Sequence, residues 1–267
     1  MNVVITGSSS GIGKFLADSL AASGHAVCRL ARSPQDGFGF QCDVSDWTAM
    51  QKCAGAVAKK WEVLDGLICC AGVQEPIGPA MGIDPLAWRE NLAVNLDGTF
   101  FAVRAFYPLL RKSPARAKII CFSGGGATSP RPNFAAYGVS KAGVVRLVET
   151  LAAEWRDQPL DINAVAPGSI FTRMTEQVLA RGAAVAGKVE FERASRQPRG
   201  DGTQLEKVLG LVEFLLSSKS DGITGKLISA VWDPWETLHK FKQDLDSDIY
   251  TLRRIVPKDR GKTWGDK

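Results

Sequence analysis

Histidine is scarce: His25 and His239 are the only two in 267 residues and share no ligand spacing, so no metal site is expected. The six cysteines include no C-x-x-C pair, and most lie in apolar, strand-like runs. They read as reduced, buried small hydrophobes rather than a disulfide framework. No apolar run approaches the ~20 residues that cross a bilayer, so no membrane span is expected. Met1-Asn2 leads straight into Val3-Val4-Ile5 with no basic stretch before it, and a cytoplasmic protein is the expectation. The net charge of +5 carries no aromatic-interleaved basic patch, which argues against a nucleic-acid partner. What remains is 45% hydrophobic and 23% charged, the balance of a globular chain able to bury one sizeable core in a single domain.

Two local patterns stand out against these absences. Asn2-Val3-Val4-Ile5-Thr6 is rich in β-branched residues and reads as a strand, while Ile12, Phe15, Leu16, Ser19 and Leu20 recur at helical intervals. Between them lies Thr6-Gly7-Ser8-Ser9-Ser10-Gly11-Ile12-Gly13. Strand, glycine loop and helix in that order form a dinucleotide site. The glycines let the backbone turn and approach a pyrophosphate, whose charge the helix N-terminus faces. The second pattern is Tyr137 and Lys141, four positions apart and so stacked on one helical face. A phenol beside a fixed ammonium has its anionic form favoured and its pKa lowered, which makes an acid/base.

The Thr-Gly-x-x-x-Gly-x-Gly spacing, the Tyr-x-x-x-Lys pair, an Asn-bearing helix between them and Pro167-Gly168 beyond together resemble the short-chain dehydrogenase/reductases, in their compact single-domain branch. The resemblance covers about residues 1–230. It implies an α/β fold, a doubly wound parallel sheet of the Rossmann type, with Thr6, Gly7, Ser9, Ser10, Gly11, Ile12 and Gly13 at the cofactor. Relatives that prefer NAD end the second strand in an acid, whereas here Ala31-Arg32 follows Ala26–Leu30, so NADP(H) is expected over NAD(H). Asp43-Val44 resembles the pair whose Asp meets the adenine amino group. Ala71-Gly72 resembles the close approach to the adenine-side ribose, although Cys70 stands where relatives carry Asn and puts that residue's bracing bonds in doubt. Pro167, Gly168, Ile170 and Thr172 resemble the loop that fixes the nicotinamide.

The same resemblance implies the chemistry. Tyr137 gives or takes the proton of a carbonyl/alcohol pair while hydride moves, and Lys141 tunes it and holds the nicotinamide ribose. Asn95, favoured over Asn91 one turn earlier, kinks its helix and holds a water linked to Lys141. Relatives carry a serine thirteen residues before the tyrosine, where this chain has Gly124, with Ser123 one earlier. A one-residue shift of Gly124-Gly125-Gly126 is expected to present Ser123 instead, with Thr128 or Ser129, or Tyr137 alone, as the alternatives.

Beyond Lys141 an apolar stripe through Val144, Val145, Leu147, Val148 and Leu151 resembles the helix that pairs subunits, so a homodimer or homotetramer is expected. About 171–201 resembles the variable lid over a small-molecule substrate. Its Arg173, Arg181, Lys188, Arg193, Arg196 and Arg199 read as a solvated basic surface, or as the receptor of an anionic substrate. The tail, 231–267, has no counterpart in the resemblance. Asp233, Pro234 and Glu236 form a helix-start signal, and Trp235, Leu238, Phe241, Leu245, Ile249 and Leu252 recur at helical intervals up to Pro257. One amphipathic helix over about 234–255 is expected, docked on the lid or on a partner subunit. A regulator or scaffold that binds cofactor without turnover, or an epimerase or dehydratase using hydride transiently, are the rival functions.

Overall fold

The computed structural model describes residues 1–33, 36–200 and 202–264. Asp201, at the end of the expected lid, and the last three tail residues lie outside that set. Seven strands form one parallel sheet: β1 (Asn2–Thr6), β2 (Ala26–Ala31), β3 (Gly39–Gln41), β4 (Gly66–Cys69), β5 (Ala117–Phe122), β6 (Leu160–Ala166) and β7 (Leu227–Ser229). Their order is β3-β2-β1-β4-β5-β6-β7, which reverses direction beside β1, as in a doubly wound fold. All-parallel strands need both faces covered, and period-two alternation divides the side chains between them.

Val4, Leu67, Ile119 and Ile162 face the layer of α2 (Trp47–Ala58), α4 (Gly98–Leu110) and α5 (Ala135–Glu154), where Met50, Phe106 and Val144 meet them. Val3, Ile5, Ile68, Ile120 and Val165 face α1 (Gly11–Ala22) and α8 (Thr203–Leu216), where Leu16, Leu20, Leu211 and Leu215 meet them. The helical pattern from Pro85 to Leu110 is continuous but not uniform. Helix α3 (Pro85–Leu92), capped by Asp84 through Leu86 N at 3.0 Å, widens into a π turn over Ala93–Asp97 before α4 begins. The segment expected to form the lid folds as α6 (Arg173–Ala186), kinked at Gly182, followed by α7 (Lys188–Ser195).

The tail does not form the expected single helix. It makes a 3-10 segment over Trp235–Lys240, a short α turn over Lys242–Leu245, and then irregular chain through Tyr250, whose φ is +59°. Asp233 does not cap; its carboxylate accepts from Ser229 N at 2.6 Å. The apolar residues serve two surfaces that a straight rod cannot reach together. Leu238 and Leu245 bury on the α8 side of the sheet, and Leu252 packs on the α5 side. Between these anchors the chain crosses the open edge of the sheet: Leu227 N donates to Tyr250 O at 2.8 Å, and Lys226 Nζ donates to Ser247 O at 2.7 Å and Ile249 O at 3.1 Å. The tail thus docks on its own α8, β7 and α5 rather than on the lid.

Candidate active site

At the carboxyl ends of the strands lies a cleft of about 410 Å³. Its floor is glycine by necessity. A β-carbon at Gly7, where φ is +72°, would meet Ala71 N and Cα at 2.7 Å, and one at Gly13 would meet Gly7 O at 2.3 Å. Helix α1 opens toward this floor with extended Ser10 at its N-terminus, no side-chain cap and no acid in the first turn. Its orphan N–H groups and the positive end of its dipole face the cleft, where Ser9, Ser10, Gly11 and Ile12 line the wall. Thr6 departs from expectation. It is buried out of the cleft, and its Oγ1 accepts from Cys70 N and Ala71 N, both at 3.2 Å, tying β1 to the end of β4 where the asparagine is missing.

Arg32, exposed at the end of β2, and Asp43 with Val44 after β3 line the far end of the cleft. Among the described residues no carboxylate pairs with Arg32, whereas Asp43 Oδ1 is held by Ser45 N at 2.9 Å and Ser45 Oγ at 2.7 Å. Ala71 and Gly72 form the middle of the wall. Pro167, Gly168, Ile170 and Thr172, after β6, close the near end. A β-carbon at Gly168 would meet Val231 Cγ2 at 2.6 Å, so the first residues of the tail brace this loop. These residues fit a nicotinamide dinucleotide: a glycine cradle and free helix N-terminus for the pyrophosphate, with a cation at one end.

Tyr137 and Lys141 sit one turn apart on α5, both buried at the near end, with Lys141 Nζ 5.7 Å from the centre of the Tyr137 ring. Lys141 Nζ donates to Phe122 O at 2.8 Å. Burial lowers its pKa to about 8, with the thiols of Cys70, Cys121 and Cys69 pulling the other way. The electrostatics differ from expectation at Tyr137. Burial raises the phenol pKa, and the cation that opposes this is Arg131 rather than Lys141.

Asn95 lies behind the wall, fully buried in the π turn. Its Oδ1 accepts from Val73 N at 2.8 Å, and its Nδ2 reaches Val73 O at 2.8 Å, Asn91 Oδ1 at 3.0 Å and Ser140 Oγ at 3.0 Å. Asn91, ranked second from sequence, shares the task by donating to Glu75 O at 2.7 Å and Val73 O at 3.2 Å. The two amides clamp the segment after Gly72. Ser123 does not make the expected shift. Its buried Oγ turns to Lys141 O at 3.4 Å, and position 124 is the one that faces the phenol, since a β-carbon there would lie 2.3 Å from Tyr137 Oη. Thr128 and Ser129 are exposed and line no part of the cleft.

Beyond Tyr137 the cleft mixes apolar Met174, Val178 and Ala194 with polar groups, and sequence reasoning missed most of the latter. Gln74, Arg131, Glu190 and Gln197 come from four separate segments, with no shared motif to announce them. The basic lid is largely paired: Arg181 with Glu75 at 3.0 Å, Arg193 with Glu190 at 3.1 Å, and Arg196 with Glu192 at 3.6 Å. Arg173, which lines the cleft, is in none of these pairs.

A switch-point cleft with a glycine-floored helix N-terminus, facing a buried Tyr/Lys pair, defines a nicotinamide-nucleotide-dependent oxidoreductase. The family model described as Enoyl-(Acyl carrier protein) reductase matches residues 7–230. The chain is 30% identical over 238 residues to galactitol 2-dehydrogenase (L-tagatose-forming) of Cereibacter sphaeroides, covering 84% of this chain and 91% of that protein. It is 33% identical over 232 residues to the 3-oxoacyl-[acyl-carrier-protein] reductase MabA of Mycobacterium tuberculosis, covering 85% and 90%. A structure described as a short chain dehydrogenase from Escherichia coli CFT073, complexed with NADPH, superposes with a TM-score of 0.72 at 26% identity, covering 86% and 96%. The chain belongs to the short-chain dehydrogenase/reductase family, and its reaction is nicotinamide-dependent hydride transfer on a small molecule.

Proposed function

We propose that this protein is an NADP(H)-dependent oxidoreductase that interconverts a carbonyl and a secondary alcohol in a small polar substrate, and that it works as a homo-oligomer. The observation that carries this reading is the burial of Tyr137 and Lys141 at the end of the same cleft that the glycine loop and α1 open. The dinucleotide supplies the hydride. In reduction Tyr137 Oη protonates the forming alkoxide, and in oxidation it removes the hydroxyl proton. Lys141 Nζ, fixed on Phe122 O, orients the sugar next to the nicotinamide and returns protons to Tyr137. Asn95 and Asn91 hold the wall at Gly72 and Val73 where that sugar must lie. Arg32, exposed and paired with no carboxylate among the described residues, supports a 2′-phosphate and hence NADP(H). Gln74, Arg131, Glu190 and Gln197, set among Met174, Val178 and Ala194, offer hydrogen-bonding groups that suit a hydroxylated substrate, like the polyol in the name of the galactitol relative.

Gly124 favours a second reading, a cofactor-binding regulator without turnover, because the usual serine is gone. The two separate in one assay: NADP+ with a panel of polyols including galactitol, and NADPH with an acetoacetyl thioester. Turnover of any of these that disappears in Tyr137→Phe while NADPH still binds supports the enzyme. Tight NADPH binding with no turnover of the whole panel supports the regulator. Calorimetry on the unsubstituted protein should give tighter binding of NADPH than NADH, with the gap narrowed in Arg32→Ala; equal affinities would remove the preference.

A further inference from the structure

The absence of a serine at 124 leaves the substrate oxygen without its usual second donor, and three facts locate a replacement. The space is taken: a β-carbon at Gly124 would overlap Tyr137 Oη at 2.3 Å, so with the phenol where it is no side chain fits. The neighbouring hydroxyl is directed elsewhere, since Ser123 Oγ is turned to Lys141 O at 3.4 Å. Against the same glycine run lies a guanidinium. A β-carbon at Gly125 would approach Arg131 Cδ at 3.8 Å and Nη1 at 4.0 Å, and one at Gly126 would approach Arg131 Cβ at 3.4 Å. The arginine thus packs along this glycine run at van der Waals distance.

Arg131 is held as a built group is held. Its Cζ lies 3.8 Å over the ring of Phe134, which is fully buried, and 5.7 Å from the centre of the Tyr137 ring. Nε and Nη2 donate to Glu190 Oε2 of the lid at 3.0 and 2.6 Å, and Nη1 donates to Gln74 Oε1 at 3.3 Å. A guanidinium has five N–H groups, and these bonds use three. The side chain is 16% exposed and lines the cleft. A surface arginine would be mobile and screened. This one is clamped on two sides and stacked on a third, and two of its N–H groups are left over in the cleft wall it shares with Tyr137.

We propose that Arg131 is the donor that holds the substrate's reacting oxygen next to Tyr137, in place of the serine. The inference rests on the oxidoreductase reading above. In reduction the carbonyl carbon accepts the hydride, the C=O π electrons pass to oxygen, and that oxygen takes the Tyr137 proton. Tyr137 is then reprotonated from solvent. Arg131 donates hydrogen bonds to the oxygen as its negative charge grows and keeps all of its protons. A charged, planar donor suits that moment better than a neutral hydroxyl, because bonds to a developing oxyanion strengthen when the donor is charged and already fixed. Glu190 keeps the fork in place and ties it to α7.

The test is steady-state reduction of 2,3-butanedione, a small activated diketone, by NADPH with the full-length protein, alongside Arg131→Met, Arg131→Lys and Tyr137→Phe. NADPH binding, followed by its fluorescence, reports that each variant is folded. The inference predicts a fall in kcat of about 100-fold in Arg131→Met, the scale of losing one oxyanion donor. Binding of NADPH should be unchanged and the KM for the diketone little changed. Arg131→Lys, which keeps a cation but not the fork, should show an intermediate loss, and added ethylguanidinium should restore part of kcat to Arg131→Met alone. Undiminished kcat in either Arg131 variant, or a loss confined to KM that ethylguanidinium does not repair, overturns the inference while Tyr137→Phe still tests the reading beneath it. An unsubstituted protein that binds NADPH but turns over nothing overturns both.

Discussion

Lys141 shows what the site costs the fold. Its ammonium is buried, and burial lowers its pKa from the ordinary 10.5 to about 8, so between those values the unfolded chain binds the proton more readily than the folded one. Stability contributed through this group therefore rises with pH across that window, by on the order of 3 kcal/mol in total. Lys141→Met should accordingly be more stable than the unsubstituted protein below pH 8, with the advantage shrinking as pH approaches 10.5. Chemical denaturation of both proteins over this range checks it, and an advantage independent of pH would contradict the assignment. Gly124→Ser tests the neighbouring residue. Because its Cβ would lie 2.3 Å from Tyr137 Oη, restoring the family's serine should lower kcat rather than raise it. Tyr137, Lys141 and the glycine loop were legible in the sequence because each is a short motif whose spacing is its geometry. Arg131 was not, since its meaning comes from Phe134, Gln74 and Glu190 meeting it from different parts of the chain. Ser123 lines the cleft, but sequence spacing cannot tell that its Oγ contacts Lys141 O and that position 124 faces the phenol.

The π turn at Ala93–Asp97 and the tail are the elements that depart from regular pattern, and each does so for a contact. The turn carries Asn95 inward, where it satisfies both Val73 N–H and C=O. Asn95→Leu would leave the Val73 N–H unpaired, at about 1–3 kcal/mol, and leave Val73 O to Asn91 alone. Urea denaturation should show that loss, and NADPH affinity should weaken with it; unchanged affinity would mean that the wall at Gly72 and Val73 does not position the dinucleotide. The tail's existence as an apolar, chain-docking segment was legible from its stripe, but its shape was not. Helical periodicity records which residues want burial, and it is blind to whether one surface or two will bury them. Trp235 sits against Gly210, where a β-carbon would approach Cη2 at 2.8 Å. Gly210→Ala should therefore loosen the tail, read as faster tryptic cleavage after Lys240 or Lys242. An unchanged cleavage rate would show that the ring has room to yield.

At the scale of the whole molecule, the sheet order and the position of the cleft follow from alternating strand and helix signals, and that much of the architecture was readable in advance. The assembly is a separate matter. The stripe on α5 is largely spent within the protomer, since Val144, Val145 and Val148 are buried in its own core, while Val139 on α5 and Phe100 on α4 remain half-exposed. The tail meanwhile lies along the outer edge of β7, which blunts that edge as a template for another chain. For the proposed homodimer or homotetramer, α4 and α5 are the faces left to pair, and Val139→Arg should lower the mass by light scattering; an unchanged mass would place the contact elsewhere. The central claim is that this cleft is a working hydride-transfer site with Tyr137 as its proton donor. Stopped-flow loss of NADPH absorbance on mixing with 2,3-butanedione tests it most directly, run on the unsubstituted protein and on Tyr137→Phe after calorimetry has shown that both bind NADPH equally. The account predicts turnover in the first and none in the second. Equal rates in the two proteins would contradict it.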